Sequence, residues 1–337
     1  MKALRLMGPN DLKLMDVELP PLPAGWCKIR VLRTAVCASD ISSIAGALPF
    51  TKYPITPGHE FSGVVSEVNG CSRVKPGMFV TANPIFTCGE CEPCKKGELN
   101  HCTKCEVLGV VSHDGAYAEE VMVPEHMVFE LPDTITPEEG SLVEPTVVAL
   151  TALKRACVKE GSTLAVFGAG NIGLPIISIA KAWGAKRILA VDTVPARLEI
   201  AKKMGADEAV TTDYLSANIE KYQDQFTSII DSVGIAPIVE LAVKLMAYGG
   251  HIDIYGVPKG SYVVPVQACF VKDGTISTSR LYGYDMTEAI DIVAKKYVNF
   301  DAMITQRMSL AEFADFSKKM VDKSADFIKV IVEVAEK

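Results

Sequence analysis

The spacing of apolar positions changes rhythm near residue 150. Before that point, short β-branched runs at 28–31, 63–68 and 78–82 are separated by the turn pairs Pro57-Gly58, Asn69-Gly70 and Pro76-Gly77. Turns at this density predict a mostly β, Greek-key-like or barrel domain over about the first 145 residues. From near Thr151 the pattern alternates. A continuous apolar strand at 163–167 (TLAVF) leads through a glycine loop to a helix at 174–183 and a second buried strand at 187–191 (RILAV). Strand patterns at 209–212, 228–232, 251–255 and 275–279 follow, with helical patterns at 195–204 and 237–246 between them. Strands alternating with helices predict βαβ units on a parallel sheet. The tail is mixed: amphipathic helices at 285–296 and 310–321, the second with Ser309 as N-cap, then an alternating run at 328–334. That last run reads as a strand that rejoins the first domain and makes it discontinuous.

A chain of 337 residues exceeds what one hydrophobic core usually serves, which agrees with two domains. Hydrophobic residues at 49% and charged residues at 22% are ordinary globular values and argue against a disordered or fibrous protein. The formal charge of -7 gives no general attraction to nucleic acid or anionic membrane, so the expected partner is a small molecule. No run approaches the roughly 18–20 apolar residues of a membrane span. The N-terminal segment turns polar before a signal-peptide core could form, and a cytoplasmic location is expected. No internal repeat or low-complexity segment occurs.

The loop Gly168-Ala169-Gly170-Asn171-Ile172-Gly173 matches G-x-G-x-x-G. Alone the pattern is weak. Here it follows a strand, opens a helix and precedes Asp192, nineteen residues beyond Gly173. That context is the dinucleotide-binding fingerprint, with Gly168, Gly170, Asn171, Ile172 and Gly173 as cofactor-binding residues. Gly168 permits the tight turn, Gly170 lets backbone N–H groups reach a pyrophosphate, and Gly173 allows close helix packing. The helix N-terminus favours the anion. Asp192, ending the second strand, suits both hydroxyls of an adenosine ribose and repels a 2′-phosphate, so NAD is expected over NADP. Arg197 pulls the other way, since a guanidinium can accept a phosphate; the alternative is an ordinary surface arginine.

Ten cysteines are present, five of them between Cys88 and Cys105. Clustered cysteines in a chain without a secretory signal point to metal rather than disulfides. Cys88-x2-Cys91-x2-Cys94-x7-Cys102 can converge four thiolates on one tetrahedral ion, and four protein ligands leave no place for substrate. A structural zinc ordering a lobe at 86–105 is the expectation; free thiols or an iron–sulfur cluster are the alternatives. Cys105, Cys27, Cys71, Cys157 and Cys269 read as bystanders.

A second constellation holds Cys37, His59, Glu60 and Glu144. Cys37 opens Cys37-Ala38-Ser39-Asp40 after an apolar strand, His59-Glu60 follows Pro57-Gly58, and Glu144 stands in Val143-Glu144-Pro145. Each has a plain reading as a buried cysteine, a turn histidine or an interdomain carboxylate. Their conjunction carries more. Together with Gly58-His59-Glu60-Phe61-Ser62-Gly63-Val64-Val65, Asp114-Gly115-Ala116-Tyr117-Ala118-Glu119, the cysteine lobe and the glycine loop, all in one order, the chain resembles the zinc-dependent medium-chain alcohol and polyol dehydrogenases over essentially its whole length. Glu144-Pro145 resembles the sorbitol, threonine and sugar-alcohol-phosphate branch. Residues 53–63 are similar to galactitol-1-phosphate dehydrogenases, and Ser279-Arg280 to relatives acting on sugar acids.

The resemblance implies an α/β fold class: a GroES-like β-rich catalytic domain from 1–146 and 281–337, and a doubly wound Rossmann NAD-binding domain at 147–280, with the active site at their junction. It implies two zinc ions per subunit. Cys37 and His59 would be ligands of the catalytic one, Glu60 and Glu144 would supply direct or water-bridged carboxylates, and Asp40 would orient a ligand. Relatives often carry a proton-relaying histidine where this chain has Ser42, which leaves Ser39 as the first relay hydroxyl and water or the cofactor ribose as the exit. Met78 stands where an Asp often follows Pro-Gly.

The function implied is reversible oxidation of a secondary alcohol in a polyol, sugar acid or sugar-alcohol phosphate, with hydride passing to NAD. Tyr53 and Arg280, with Phe50, Lys52 and Tyr282, are candidates to line the cleft, and Arg280 suits a carboxylate or phosphate. A homodimer or homotetramer is implied as well. Two other readings remain: a zinc-free reductase on the same fold, and a non-catalytic nucleotide-binding protein. The first would hold at most one zinc, and an activity assay separates the second.

Overall fold

The computed structural model describes residues 1–258, 260–283 and 286–336. Contacts divide the chain into two compact units. One comprises residues 1–145, 286–294 and 304–336; the other comprises 146–283 and 295–303. Asp285, where the sequence pattern starts a helix, lies outside the described residues; the helix itself is Met286–Ala294. Among the described residues, no helix is long and apolar enough to cross a membrane.

The first unit is built on a seven-stranded sheet whose centre is the antiparallel pair Trp26–Ala35 and Glu60–Asn69. Both strands run ten residues. Their alternation buries Cys27, Ile29 and Val31 on one side with Phe61 and Val65. Phe79–Ala82 extends the sheet from Glu60–Asn69, and Glu120–Pro124 pairs with the lower half of Trp26–Ala35. On the other side the last strand, Lys329–Glu333, pairs antiparallel with Trp26–Ala35 and parallel with Ile304–Ser309. A second apolar cluster gathers Leu4, Leu6, Ile55, Tyr117, Phe313, Val330 and Val332, so the two ends of the chain share one core.

Two helices of this unit show how local chemistry sets the ends. Leu310–Val321 starts at Ser309, whose hydroxyl accepts the Glu312 N–H while Glu312 accepts the Ser309 N–H. Pro137–Ser141 starts the same way at Thr136, with Glu139 reciprocating. The sequence reading passed over this second capping box, and with it the helix Val143–Arg155 that carries Glu144.

The second unit is a six-stranded, all-parallel sheet in the order Glu208–Thr211, Arg187–Asp192, Thr163–Phe167, Phe226–Asp231, Met246–Ile254, Thr275–Thr278. This is a Rossmann sheet, and with the GroES-like first unit it gives the α/β fold class that the motifs imply. Strand order reverses between Thr163–Phe167 and its neighbour Phe226–Asp231, and ligands of such sheets bind outside the carboxyl ends of the strands at that point. Thr163–Phe167 is buried from Leu164 onward and reads as an apolar run, whereas Phe226–Asp231 carries Thr227 and Ser228 among its apolar residues. Met246–Ile254 begins five residues before His251, directly out of helix Ala236–Leu245; Tyr248, Gly249 and Gly250 there break the apolar pattern.

Candidate metal centres and cofactor loop

In the first unit the central strand pair brings three side chains that could hold a metal ion to one point. Trp26–Ala35 ends two residues before Cys37, and the register sets Ala35 opposite Glu60. The Thr34 hydroxyl donates to the Glu60 carbonyl at 3.0 Å and fixes that register. One ligand atom each from Cys37, His59 and Glu60 then lies within 4.8 Å of the others. Bonds of about 2.0–2.3 Å to one zinc place tetrahedral ligands roughly 3.3–3.8 Å apart, so the trio fits such an ion. Gly58, just before His59, has φ +100, and a Cβ there would come within 2.9 Å of Tyr117 Cδ1. Only glycine fits that turn.

Behind the trio stands Asp40, wholly buried on the first turn of helix Ala38–Ile44. Its Oδ2 accepts the Cys37 N–H at 2.9 Å and the Tyr117 hydroxyl at 2.7 Å. Its Oδ1 faces His59 Nδ1 at 3.3 Å, close in charge terms but not aligned as a hydrogen bond. Burial alone pulls the His59 imidazolium down, yet Asp40 and then Cys37 lift it well above the ordinary histidine value. Burial raises Asp40, but His59 together with the Cys37 N–H and the Tyr117 hydroxyl holds the carboxyl low. Burial and the Asp40 charge push the Tyr117 phenol well up, so it stays a donor. The pocket is thus a strongly cation-seeking site. With Nδ1 turned to Asp40, Nε2 is the imidazole nitrogen left to meet an ion.

Glu60 also meets Lys329. The ammonium donates to Glu60 Oε2 at 2.5 Å and to the Val36 carbonyl at 3.2 Å, and both charged side chains are buried. No sequence pattern pointed to Lys329, because the pair spans 269 residues of chain. Glu144 is 7% exposed on the first turn of its helix, but it is not among the ligand atoms that converge with Cys37 and His59. Ser39 is half-buried on the helix that follows Cys37, and the Ser42 hydroxyl donates to the Ala38 carbonyl at 3.0 Å.

The four-cysteine lobe converges too. Sulfur separations are 3.4 Å for Cys91–Cys94, 3.6 Å for Cys88–Cys102 and 3.9 Å for Cys88–Cys94. Four Zn–S bonds of about 2.3 Å demand about 3.8 Å between sulfurs, whereas a disulfide needs about 2.05 Å. The lobe's own secondary structure is slight: helix Glu92–Lys95, the turn Leu99–His101 and the two-residue pair Ile85–Phe86 with Glu106–Val107. Backbone N–H groups of Glu90 and Cys91 pull the Cys88 thiol down to about 6, while burial pushes Cys94 up to about 12. Four sulfurs this close suit one shared cation. None of the ten cysteines is in a disulfide.

In the second unit the glycine loop leaves strand Thr163–Phe167 at the switch point. Gly168 has φ +94, and a Cβ on Gly173 would collide with the Gly168 carbonyl oxygen. Gly170 differs: a Cβ there meets no protein atom within 4 Å, so the fold itself does not require glycine at that position. Bare backbone facing open space is what a pyrophosphate needs. Asn171 Oδ1 is buried without a hydrogen-bond partner. Asp192 ends its strand and accepts the Ala169 N–H at 2.7 Å and the Val194 N–H at 2.9 Å, which ties the loop to the neighbouring strand. A carboxylate retains lone pairs beyond those two bonds. Arg197, in the first turn of helix Pro195–Lys203, is half-buried, and its Nε has no partner.

The candidate substrate residues are placed unevenly. The Tyr53 hydroxyl donates to the Ser43 carbonyl at 3.0 Å and its ring packs on the Leu4–Phe313 cluster, so much of Tyr53 is committed to the fold. Arg280 is exposed two residues beyond strand Thr275–Thr278. Tyr282 is buried and Phe50 is exposed.

The fold and these sites define a zinc-binding dehydrogenase. Residues 23–133 match the family model for the alcohol dehydrogenase GroES-like domain, and residues 171–295 match that for zinc-binding dehydrogenase. The starvation-sensing protein RspB of Escherichia coli is 30% identical over 340 residues, covering 100% of both chains. The probable D-xylulose reductase A of Aspergillus fumigatus is 33% identical, covering 97% of this chain and 95% of that one. The crystal structure of Escherichia coli RspB, an alcohol dehydrogenase complexed with the cofactor NADH, superposes with a TM-score of 0.92 at 30% identity, covering 99% of each chain. The chain belongs to the zinc-dependent medium-chain alcohol and polyol dehydrogenase family.

Proposed function

We propose that the protein is an NAD-dependent zinc oxidoreductase that reversibly oxidises a secondary alcohol of a polyol, sugar acid or sugar-alcohol phosphate to the ketone. The observation that carries this reading is the convergence of Cys37, His59 and Glu60 within 4.8 Å in front of the buried Asp40 carboxylate. The ketose named in D-xylulose reductase, an aligned relative, supports the substrate class. When bound, zinc supplies Lewis acidity that makes a substrate hydroxyl easier to deprotonate, and NAD supplies a hydride acceptor.

The chain's own residues do the rest. Cys37, His59 and a carboxylate, from Glu60 or Glu144, hold the catalytic ion, while Cys88, Cys91, Cys94 and Cys102 hold a structural one. Ser39 Oγ takes the proton from the substrate hydroxyl and passes it outward, to water or the cofactor ribose. Gly168, Gly170, Asn171, Ile172 and Gly173 receive the pyrophosphate. Asp192 accepts from the adenosine ribose and disfavours a 2′-phosphate, and Arg197 flanks it. Arg280 meets a substrate carboxylate or phosphate; Tyr53, its hydroxyl already engaged, contributes at most its ring.

The same reading assigns the catalytic domain to 1–146 and 281–337 and the NAD domain to 147–280. It places the enzyme in the cytoplasm and makes it a homodimer or homotetramer. Exposed Val257, Val263, Val266, Phe270 and Val271 in the second unit favour self-association, to be read by light scattering. The deciding test is an assay of purified protein with NAD and NADP against a panel of polyols, sugar acids and sugar-alcohol phosphates. Turnover preferring NAD is expected. No turnover of any alcohol or ketone overturns the reading, and an Arg280→Ala variant with unchanged KM removes that arginine from the substrate site.

A further inference from the structure

We propose that the Tyr117 hydroxyl is a positioning group for the catalytic metal centre: by holding one oxygen of Asp40, it keeps the other turned to His59 and so sets how firmly His59 grips a divalent cation. The proposal rests on the reading of Cys37, His59 and Glu60 as the cation's ligands.

Tyr117 is fixed from several sides before its hydroxyl is considered. Its N–H donates to the Pro57 carbonyl at 2.9 Å and its carbonyl accepts the Leu4 N–H at 2.8 Å. Its ring lies 4.9 Å from the Phe313 ring and fills the space that a Gly58 side chain would need. One side of the residue therefore braces the backbone immediately before His59. A phenylalanine would make every one of these contacts. What it could not make is the 2.7 Å bond to Asp40 Oδ2.

Burying a hydroxyl costs free energy unless it is bonded, and a bond to an ionised acceptor is among the stronger ones. The bond divides the labour of Asp40. Oδ2 is pinned by Tyr117 and by the N–H of Cys37, itself a candidate ligand. Oδ1 is left to face His59 Nδ1 at 3.3 Å. Without the phenol, a single backbone N–H holds the carboxylate, which is then free to turn about its terminal torsion and lose its aim at the imidazole. Partners that orient a metal-bound histidine typically govern metal affinity by about 10–100-fold.

The experiment uses the zinc holoenzyme and its cobalt-substituted form, comparing wild type, Tyr117→Phe and Cys37→Ala. The expected result for Tyr117→Phe is unchanged circular dichroism and two zincs at preparation. Its catalytic-site ion should transfer to a chromogenic chelator roughly tenfold faster, and the cobalt absorption bands should shift. A release rate and cobalt spectrum matching wild type would overturn the proposal. A Tyr117→Phe chain that fails to fold even with excess zinc would make the hydroxyl a folding contact rather than a positioning group, and would also overturn the proposal. Cys37→Ala separates the layers. If that variant still holds two zincs, the metal-centre reading itself fails; if it drops to one while Tyr117→Phe behaves as wild type, only the role of Tyr117 falls.

Discussion

Lys329 Nζ lies 2.5 Å from Glu60 Oε2, with both side chains buried, so the last strand of the chain neutralises a carboxylate of the candidate metal site. Glu60 cannot be both fully committed to Lys329 and fully committed to an ion. Removing one partner of a buried pair leaves an uncompensated charge, at about 3–5 kcal/mol. Lys329→Met is therefore expected to lower the urea-unfolding free energy of chelator-treated protein by about that amount. Added zinc should recover part of the loss, because Glu60 then has another cation to meet. The Lys329→Met, Glu60→Gln double variant should be more stable than Lys329→Met alone. A single variant as stable as wild type would mean that the pair is not what neutralises Glu60.

The contrast between Lys329 and the cysteine lobe marks what was legible in the sequence. Cys88 and Cys102 are fourteen residues apart, and their convergence is a local matter of loop length. Glu60 and Lys329 meet across 269 residues, and Tyr117 and Asp40 across 77. Both of those pairings depend on strand registers that no periodicity specifies. Elements followed the same rule. Thr163–Phe167 is buried on both faces, and its apolar run gave its bounds; Leu310–Val321 carries both an apolar stripe and a serine cap. Val266–Val271 was missed, since its residues are largely exposed and its six positions show no stripe. Pro137–Ser141 was missed although Thr136, Pro137 and Glu139 supplied the cap signature. The Glu144 side chain illustrates the remaining limit: its motif was readable, its distance from the Cys37–His59–Glu60 group was not.

Ser39 and Ser42 share one short helix but have different freedom. The Ser42 hydroxyl is engaged with the Ala38 carbonyl at 3.0 Å, and the proposed mechanism gives the proton transfer to Ser39. Ser39→Ala should lower kcat by about 10²–10⁴, the usual worth of positioned proton transfer. Ser42→Ala should leave kcat within about twofold, because a solvated back-bond to a helix carbonyl contributes little. Equal losses in both variants would assign the relay elsewhere.

Gly170 and Gly173 should separate binding from folding. A side chain at Gly170 meets nothing in the protein, so Gly170→Val is expected to keep the wild-type melting temperature while weakening NADH binding at least tenfold, read by fluorescence titration. Gly173→Val drives its Cβ into the Gly168 carbonyl and should fail in stability first. If Gly170→Val binds NADH as tightly as wild type, the pyrophosphate does not approach that backbone.

Cys94→Ser tests the lobe as a metal-ordered loop. With little secondary structure of its own, the lobe at 86–105 would depend on a shared ion for its order, and a serine hydroxyl is a poor substitute for a thiolate on zinc. Bound zinc should fall from two to one per chain by elemental analysis, and proteolysis within the lobe should accelerate. Retention of two zincs would show that three cysteines suffice.

Glu125 supplies a pH signature away from both metal sites. Its Oε2 accepts the N–H groups of Ser72 at 2.9 Å, Arg73 at 3.0 Å and Val74 at 3.4 Å, and its Oε1 accepts the Ser72 hydroxyl at 3.1 Å. The Arg73 N–H is the largest influence, and together these donors hold the carboxyl below its ordinary value. A carboxyl with a lowered folded pKa stabilises the native state fully above its unfolded value of about 4.3, and the contribution is lost as pH falls through the lower folded value. Glu125→Gln keeps an acceptor but not the charge. Its unfolding midpoint in urea, measured in chelator-treated protein, should lie below that of wild type by a constant gap from about pH 6 to 8, and the gap should close as the pH drops below about 4. A gap that persists undiminished into acid would show that the carboxylate charge contributes nothing at this turn, and that only its shape matters there.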